Sequence, residues 1–310
     1  MPNEFAPEVL AAFAELERAG FVQGDATAQP LDAARADTRR FQAFLNGDPV
    51  PLREVEEVTI AGGLRLRLYH PDSPAPRPAL LHVHGGGFAF GTIDTLDRWK
   101  REIARDAGVT VVGLEYALSP ENTYPTALEQ VLAALRWLRE GAASYGIDSA
   151  RLAVSGDSAG GNLALAALLR LRDAGEPLPR CGAIIYGMLS AEHDSPSHRA
   201  FGGGEYGLST AKLDWFWSQY LGPTPREDSG AAPLRADLHG LPPLLLLAAA
   251  LDPLLDDTLK LAPRLTEAGV PHTLRVIEGV HHGFIAWTRL LPQARAAREA
   301  VVESLRRHLG

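Results

Sequence analysis

The sequence predicts an α/β architecture: a mostly parallel sheet covered by helices on both faces. Three observations carry that expectation. Short β-prone apolar runs alternate with longer helical segments from residue 79 to the C-terminus. The apolar runs contain few polar residues, as strands buried on both faces require. Gly156, Ser158 and Gly160 (GxSxG) fall at one strand-to-helix junction, the edge where a parallel sheet presents its functional side chains.

Taken in order, residues 8–19 place Val9, Phe13 and Leu16 on one helical face and stop at Gly20. Residues 31–45 repeat the pattern with Ala34, Phe41 and Leu45 before Asn46 and Gly47. Both helices precede the first strand and have no place in a βαβ order, so they are expected to lie across the top of the domain as a cap. Residues 55–60 and 64–69 read as a hairpin around Ala61, Gly62 and Gly63, with Leu64, Leu66 and Leu68 alternating against Arg65 and Arg67. A proline-rich loop leads to a buried strand at 79–83 and then to His84, Gly85, Gly86, Gly87 and Phe88. There follow a helix at 95–107, a strand at 109–115, a helix at 126–139, a strand at 151–155, a helix at 162–172 and a strand at 182–186. Residues 187–225 break the rhythm, with Gly202, Gly203 and Gly204 and an aromatic segment holding Trp215, Phe216 and Trp217. This insertion is expected to complete the cap. A strand at 244–250, a helix at 255–268, a strand at 273–277 and a helix at 291–308 finish the chain. One domain is expected over 1–310, with the cap built from about 1–50 and about 187–225.

The 310 residues are 46% hydrophobic and 22% charged, with a formal net charge of -8 and no basic run, which argues against nucleic acid and anionic membranes as partners. Cys181 is the single cysteine, so neither an intramolecular disulfide nor a metal cluster is expected. The opening MPNEFAPEVL lacks a basic n-region and an apolar h-region, and the apolar run at 244–251 is too short to span a bilayer. A cytoplasmic location is expected. A homodimer is compatible with the sequence, which does not decide it.

GxSxG alone recurs by chance in a chain with 30 glycines, so its setting has to decide. A serine on a very tight strand-to-helix turn is forced into strained backbone angles, and glycines two residues either side let neighbouring backbones pass close by. The Ala159 amide would open the following helix and point at an anion forming beside Ser158. In HGGGF three consecutive glycines cost folding entropy that a plain connection would not require, and they let backbone N–H groups approach a ligand. Gly86 and Gly87 are therefore candidate oxyanion donors together with Ala159. A serine nucleophile needs a base, and the base an orienting acid. Asp252 directly follows the apolar strand ending AAALD, and His281 and His282 follow the last strand in EGVHHGF. Side chains adjacent in an extended loop point to opposite sides, so only one histidine can reach Ser158. Asp256 and Asp257 fit the first turn of the next helix, where acidic residues cap.

HGGGF (84–88), EYALSPENTYP (115–125), GDSAGGN (156–162), DPLLDD (252–257) and HGF (282–284) resemble, in order, the sequence blocks of the GDXG lipolytic family. That family is the bacterial hormone-sensitive-lipase-like branch of the α/β-hydrolases, and the resemblance runs from about Val58 to the C-terminus. It implies an acetyl esterase with Ser158 as nucleophile, Asp252 as acid and His282, the histidine before Gly-Phe, as base. It further implies a small-molecule ester as substrate and an acyl-enzyme chemistry that needs no metal or cofactor. Glu115 and Ala117 stand where many relatives have Asp and Arg, a departure that touches no triad position. Two other readings are weighed. A lipase on long-chain glycerides is opposed by the acidic balance and the missing secretion signal, and a non-catalytic ligand-binding homologue by the presence of all three triad residues.

Overall fold

In the computed structural model, which describes residues 4–21 and 29–310, one sheet contains β1 (Glu54–Thr59), β2 (Arg65–His70), β3 (Arg77–Val83), β4 (Thr110–Glu115), β5 (Ile147–Asp157), β6 (Cys181–Ile185), β7 (Leu244–Leu251) and β8 (His272–His281). Their order is β1-β2-β4-β3-β5-β6-β7-β8. β2 pairs antiparallel with β1 and with β4, and the remaining neighbours are parallel. Side chains of a strand alternate between faces, and here they feed two separate cores. Ala79, Leu81 and Val83 of β3 enter one while Leu80 enters the other; Leu244 and Leu246 of β7 part in the same way from Leu245, Leu247 and Ala249.

The first core is covered by α4 (Thr126–Glu140), α5 (Ala159–Asp173), α7 (Thr210–Leu221) and α8 (Leu255–Glu267). The second is covered by α1 (Pro7–Arg18), α3 (Asp97–Ala107) and α9 (Pro292–Leu309). Helix α2 (Leu31–Asn46) buries only Ala34 and Leu45 along its length, Ala34 in the first core and Leu45 in the second. It therefore bridges the two faces. A short α6 (Pro196–Phe201) lies in the segment between β6 and β7 that also holds α7.

Two strands outrun their sequence pattern. β5 starts at Ile147 because Arg77 pairs with Ile147 before a register shift, and the polar residues inside that irregularity hide the run. β8 continues to His281 across a second irregularity opposite Ala249 and Leu251, where Glu278 and Gly279 interrupt the alternation. No helix among the described residues is long and apolar enough to cross a membrane.

Candidate active site

β5 ends at Asp157 and α5 begins at Ala159, so Ser158 alone makes the turn, with φ 55° and ψ -121°. A side chain in that region costs on the order of 1–3 kcal/mol and persists only where its surroundings over-determine it. They do so here. The Ser158 N–H donates to the Ile185 carbonyl (2.9 Å), and the Ser158 carbonyl accepts from the N–H groups of Asn162 and Met188 (both 3.1 Å). A Cβ on Gly156 would fall 2.0 Å from the Gly160 carbonyl oxygen, and one on Gly160 would fall 2.0 Å from that of Val83. The two glycines of GxSxG thus mark two backbone crossings that no side chain fits.

Asp252 stands one residue past β7 and His282 one residue past β8, and the pairing of Leu251 with His281 sets these strand ends side by side. His282 Nδ1 lies 2.7 Å from Asp252 Oδ2, and His282 Nε2 lies 2.8 Å from Ser158 Oγ. With the Nδ1 proton donated to the carboxylate, Nε2 keeps a lone pair toward the serine hydroxyl. Asp252 is fully buried, and its other oxygen accepts the Leu254 N–H at 2.8 Å. Its two oxygens therefore have separate tasks, one on the imidazole and one on the turn into α8. The Tyr186 ring backs His282 at 4.6 Å between centroids.

His281 turns the other way. Its ring stacks on Phe13 of α1 (5.3 Å, 22°) and meets Phe5 and Trp287 edge-on. Burial pushes its pKa down to about 4, so the ring is neutral at neutral pH and bonds through Nδ1 to the His282 carbonyl (2.5 Å).

The glycine loop lies across from this pair. Gly86 and Gly87 have φ of 116° and 59°, and a Cβ on Gly87 would fall 2.3 Å from the Phe216 ring. The amides of Gly86, Gly87 and Ala159 find no acceptor among the described residues. The loop is fastened to the sheet by the Gly85 N–H donating to Asp157 Oδ1 (2.8 Å) and by Tyr116 Oη donating to the His84 carbonyl (3.0 Å). Sequence reasoning assigned neither contact. Asp157 and Tyr116 lie inside quoted motifs, but their partners are 72 and 32 residues away.

Ser158, His282 and the glycine loop open into a cavity of about 840 Å³, walled by Phe41 and Gln42 of α2, by Leu208 and Phe216 of the 187–225 segment, and by Trp287. Of the aromatics in the cap segments, Phe41 lines this cavity, whereas Trp217 is buried beside Phe88 and Phe44 packs on Phe21. The capping expectation for the DPLLDD acids needs correction. Asp257 does lie in the first turn of α8, but its carboxylate accepts the N–H groups of Leu189 (2.9 Å) and Ser190 (3.0 Å), and that of Asp256 accepts Ser197 N–H (2.9 Å). The segment leaving β6 has no strand partner for those amides, so the helix acids serve them instead.

A family model described as the alpha/beta hydrolase fold matches residues 80–286. This chain is an α/β-hydrolase. Within that fold it belongs to the hormone-sensitive-lipase-like branch. The hydrolase is 38% identical to an ethyl acetate hydrolase of Pseudomonas putida, with 97% of this chain and 98% of the relative covered. It superposes on the hyperthermophilic esterase of the archaeon Pyrobaculum calidifontis with a TM-score of 0.91 at 31% identity, covering 98% of each chain. An ester hydrolase from the metagenome of Lake Arreo, solved with a bipyridine phosphonate derivative, matches with a TM-score of 0.90 at 36% identity over 98% of this chain and 99% of that one.

Proposed function

We propose that the hydrolase cleaves short-chain acyl esters, acetyl esters foremost, through an acyl-enzyme on Ser158. It is a carboxylic ester hydrolase, as its relatives over nearly the whole length are. The observation that carries the mechanism is the continuous bonded run from Asp252 through His282 to Ser158 Oγ. His282 Nε2 takes the Ser158 proton as Oγ attacks the ester carbonyl, and Asp252 holds the tautomer and supports the imidazolium that forms. His282 then returns that proton to the leaving alcohol. The amides of Gly86, Gly87 and Ala159 receive the developing oxyanion, and a donor so placed is worth about 3–4 kcal/mol in comparable sites. Water, deprotonated by the same imidazole, attacks the acyl carbonyl and releases the acid.

The cap, expected from about 1–50 and about 187–225 of a single domain, roofs the pocket with its described residues, 1–3 and 22–28 lying outside them; support comes from Phe41 and Gln42 on one side and Leu208 and Phe216 on the other. Each methylene buried there adds about 0.8 kcal/mol until the space is filled, after which length becomes a steric cost. We further propose a cytoplasmic enzyme that meets a small-molecule ester, and the acidic balance supports partners other than nucleic acid or anionic membrane.

A chromogenic ester series from acetyl to dodecanoyl, run with wild type and Ser158→Ala, tests this reading. Highest kcat/KM is expected from acetyl to about hexanoyl, with Ser158→Ala folded and inactive. Activity climbing through the longest chains would favour a lipase, and binding without turnover by wild type would favour a ligand-binding homologue.

A further inference from the structure

Helix α2 is fastened at its ends. At the C-terminal end Arg289 donates to the Phe44 carbonyl (2.8 Å), and Arg98 donates to the carbonyls of Asn46 and Asp48 (3.3 and 3.1 Å). These guanidinium groups satisfy the orphan carbonyls of a helix end and the turn after it. At the N-terminal end one residue, Arg35, divides its fork among three acceptors. Nε–H donates to the Ala89 carbonyl (2.9 Å), Nη2–H to the Ser119 carbonyl (2.9 Å), and the two Nη groups to the Glu121 carboxylate (2.7 and 2.8 Å).

Ala89 belongs to the turn that presents the Gly86 and Gly87 amides. Its own N–H and that of Phe90 both donate to the Gly86 carbonyl (3.2 and 2.9 Å), and the Phe88 carbonyl accepts Ser119 N–H (2.9 Å). Gly86, Gly87, Phe88 and Gly91 all have positive φ, at 116°, 59°, 61° and 105°. Phe88 is strained in that region and the glycines are unusually free, so outside contacts are what hold the loop in one conformation. Asp157 fixes the loop at Gly85, Tyr116 at His84, Ser119 at Phe88 and Arg35 at Ala89. The first three restraints come from segments joined to the sheet, and Arg35 comes from the helix whose Phe41 and Gln42 wall the cavity.

We infer that Arg35 is a positioning residue for the glycine loop, through which helix α2 sets the alignment of the Gly86 and Gly87 amides with Ser158. The inference rests on the reading of those amides as oxyanion donors. It gives α2 two tasks, shaping the space for the ester and holding the loop that receives its oxyanion. An arginine is needed because its planar fork reaches three acceptors at once, whereas a lysine ammonium is a single point. The salt bridge to Glu121 is a support for this geometry, since the two backbone carbonyls would keep their donors without it.

The test uses the full chain as wild type, R35M, R35K and E121Q, with folding checked by circular dichroism. Three quantities are read: kcat and KM on a chromogenic acetyl ester, and affinity for a trifluoromethyl ketone, whose serine adduct places an oxyanion on the loop amides. R35M is expected to lower kcat by about 10- to 100-fold with KM within about threefold, and to weaken the ketone by a similar factor. R35K, which keeps the charge facing Glu121 and loses the bond to Ala89, should fall between R35M and wild type. E121Q should stay within about threefold of wild type. A folded R35M with wild-type kcat and an altered KM alone would overturn the inference and leave α2 a wall of the pocket. So would a loss of kcat with unchanged ketone affinity, or failure of both Arg35 variants to fold, which would make the residue an anchor of the fold. A wild type that neither turns over esters nor binds the ketone would instead remove the proposed function itself.

Discussion

His281 and His282 are neighbours in the chain and belong to different parts of the molecule. His282 faces the sheet edge, where its two ring nitrogens bridge Asp252 and Ser158; His281 faces the roof, stacked on Phe13 of α1. The sheet edge is held by strand pairing and by backbone bonds around Ser158, and a side chain there has one place to go. The roof is held by side chains. Helix α2 buries two residues in sixteen, and its ends depend on arginines reaching backbone carbonyls. Chemistry placed on the first region is precise because the sheet is rigid, and substrate fit placed on the second can change without disturbing the proton path from Ser158 to Asp252.

The sharpest way to break this comparison is to truncate each histidine. His282→Ala should lower kcat by about 10⁴-fold or more, since the proton acceptor and the partner of Asp252 are both lost. His281→Ala should keep kcat within about threefold while raising KM, because it loosens the docking of α1 and not the proton path. Steady-state kinetics on one acetyl ester decides. A large kcat loss from His281→Ala alone would mean that the docking of α1 and the proton path are not separable.

A smaller effect is expected at Asp257, which joins the two regions by holding the first residues of the 187–225 insertion from α8. Burial pushes its pKa up to about 7. A folded-state pKa above the unfolded value means that the folded protein favours the protonated acid. Its contribution to stability is thus fully present below about pH 4 and is lost as pH rises through about 7. Asp257→Asn keeps an acceptor for the Leu189 and Ser190 amides and cannot ionise. Its Tm relative to wild type should therefore climb between about pH 4 and about pH 7 and level off above. A pH-independent difference in thermal melts would show that Asp257 stays ionised without penalty.

The same division explains what the sequence makes legible. The sheet follows from alternation and from glycines at fixed offsets, and Ser158, Asp252 and His282 follow from their places just past strands. Those signals are local. Strand ends at Ile147 and His281 escape because bulges break the two-residue period there. Arg35, Asp157 and Asp257 escape for another reason: each bonds to backbone groups 54 to 84 residues away, and a side chain on a distant carbonyl or amide leaves no pattern around itself. The capping reading of Asp257 was reasonable at its own position and failed because the need lay elsewhere, at the unpaired amides after β6.

The central claim is that one serine, Ser158, attacks the ester with the help of His282 and Asp252. The most direct measurement is stoichiometric inactivation by an organophosphonate ester followed by peptide mass mapping. One equivalent is expected on the peptide that contains Ser158, with activity lost in proportion, and none on Ser158→Ala. Label on another serine, or turnover that survives full modification of Ser158, would contradict it.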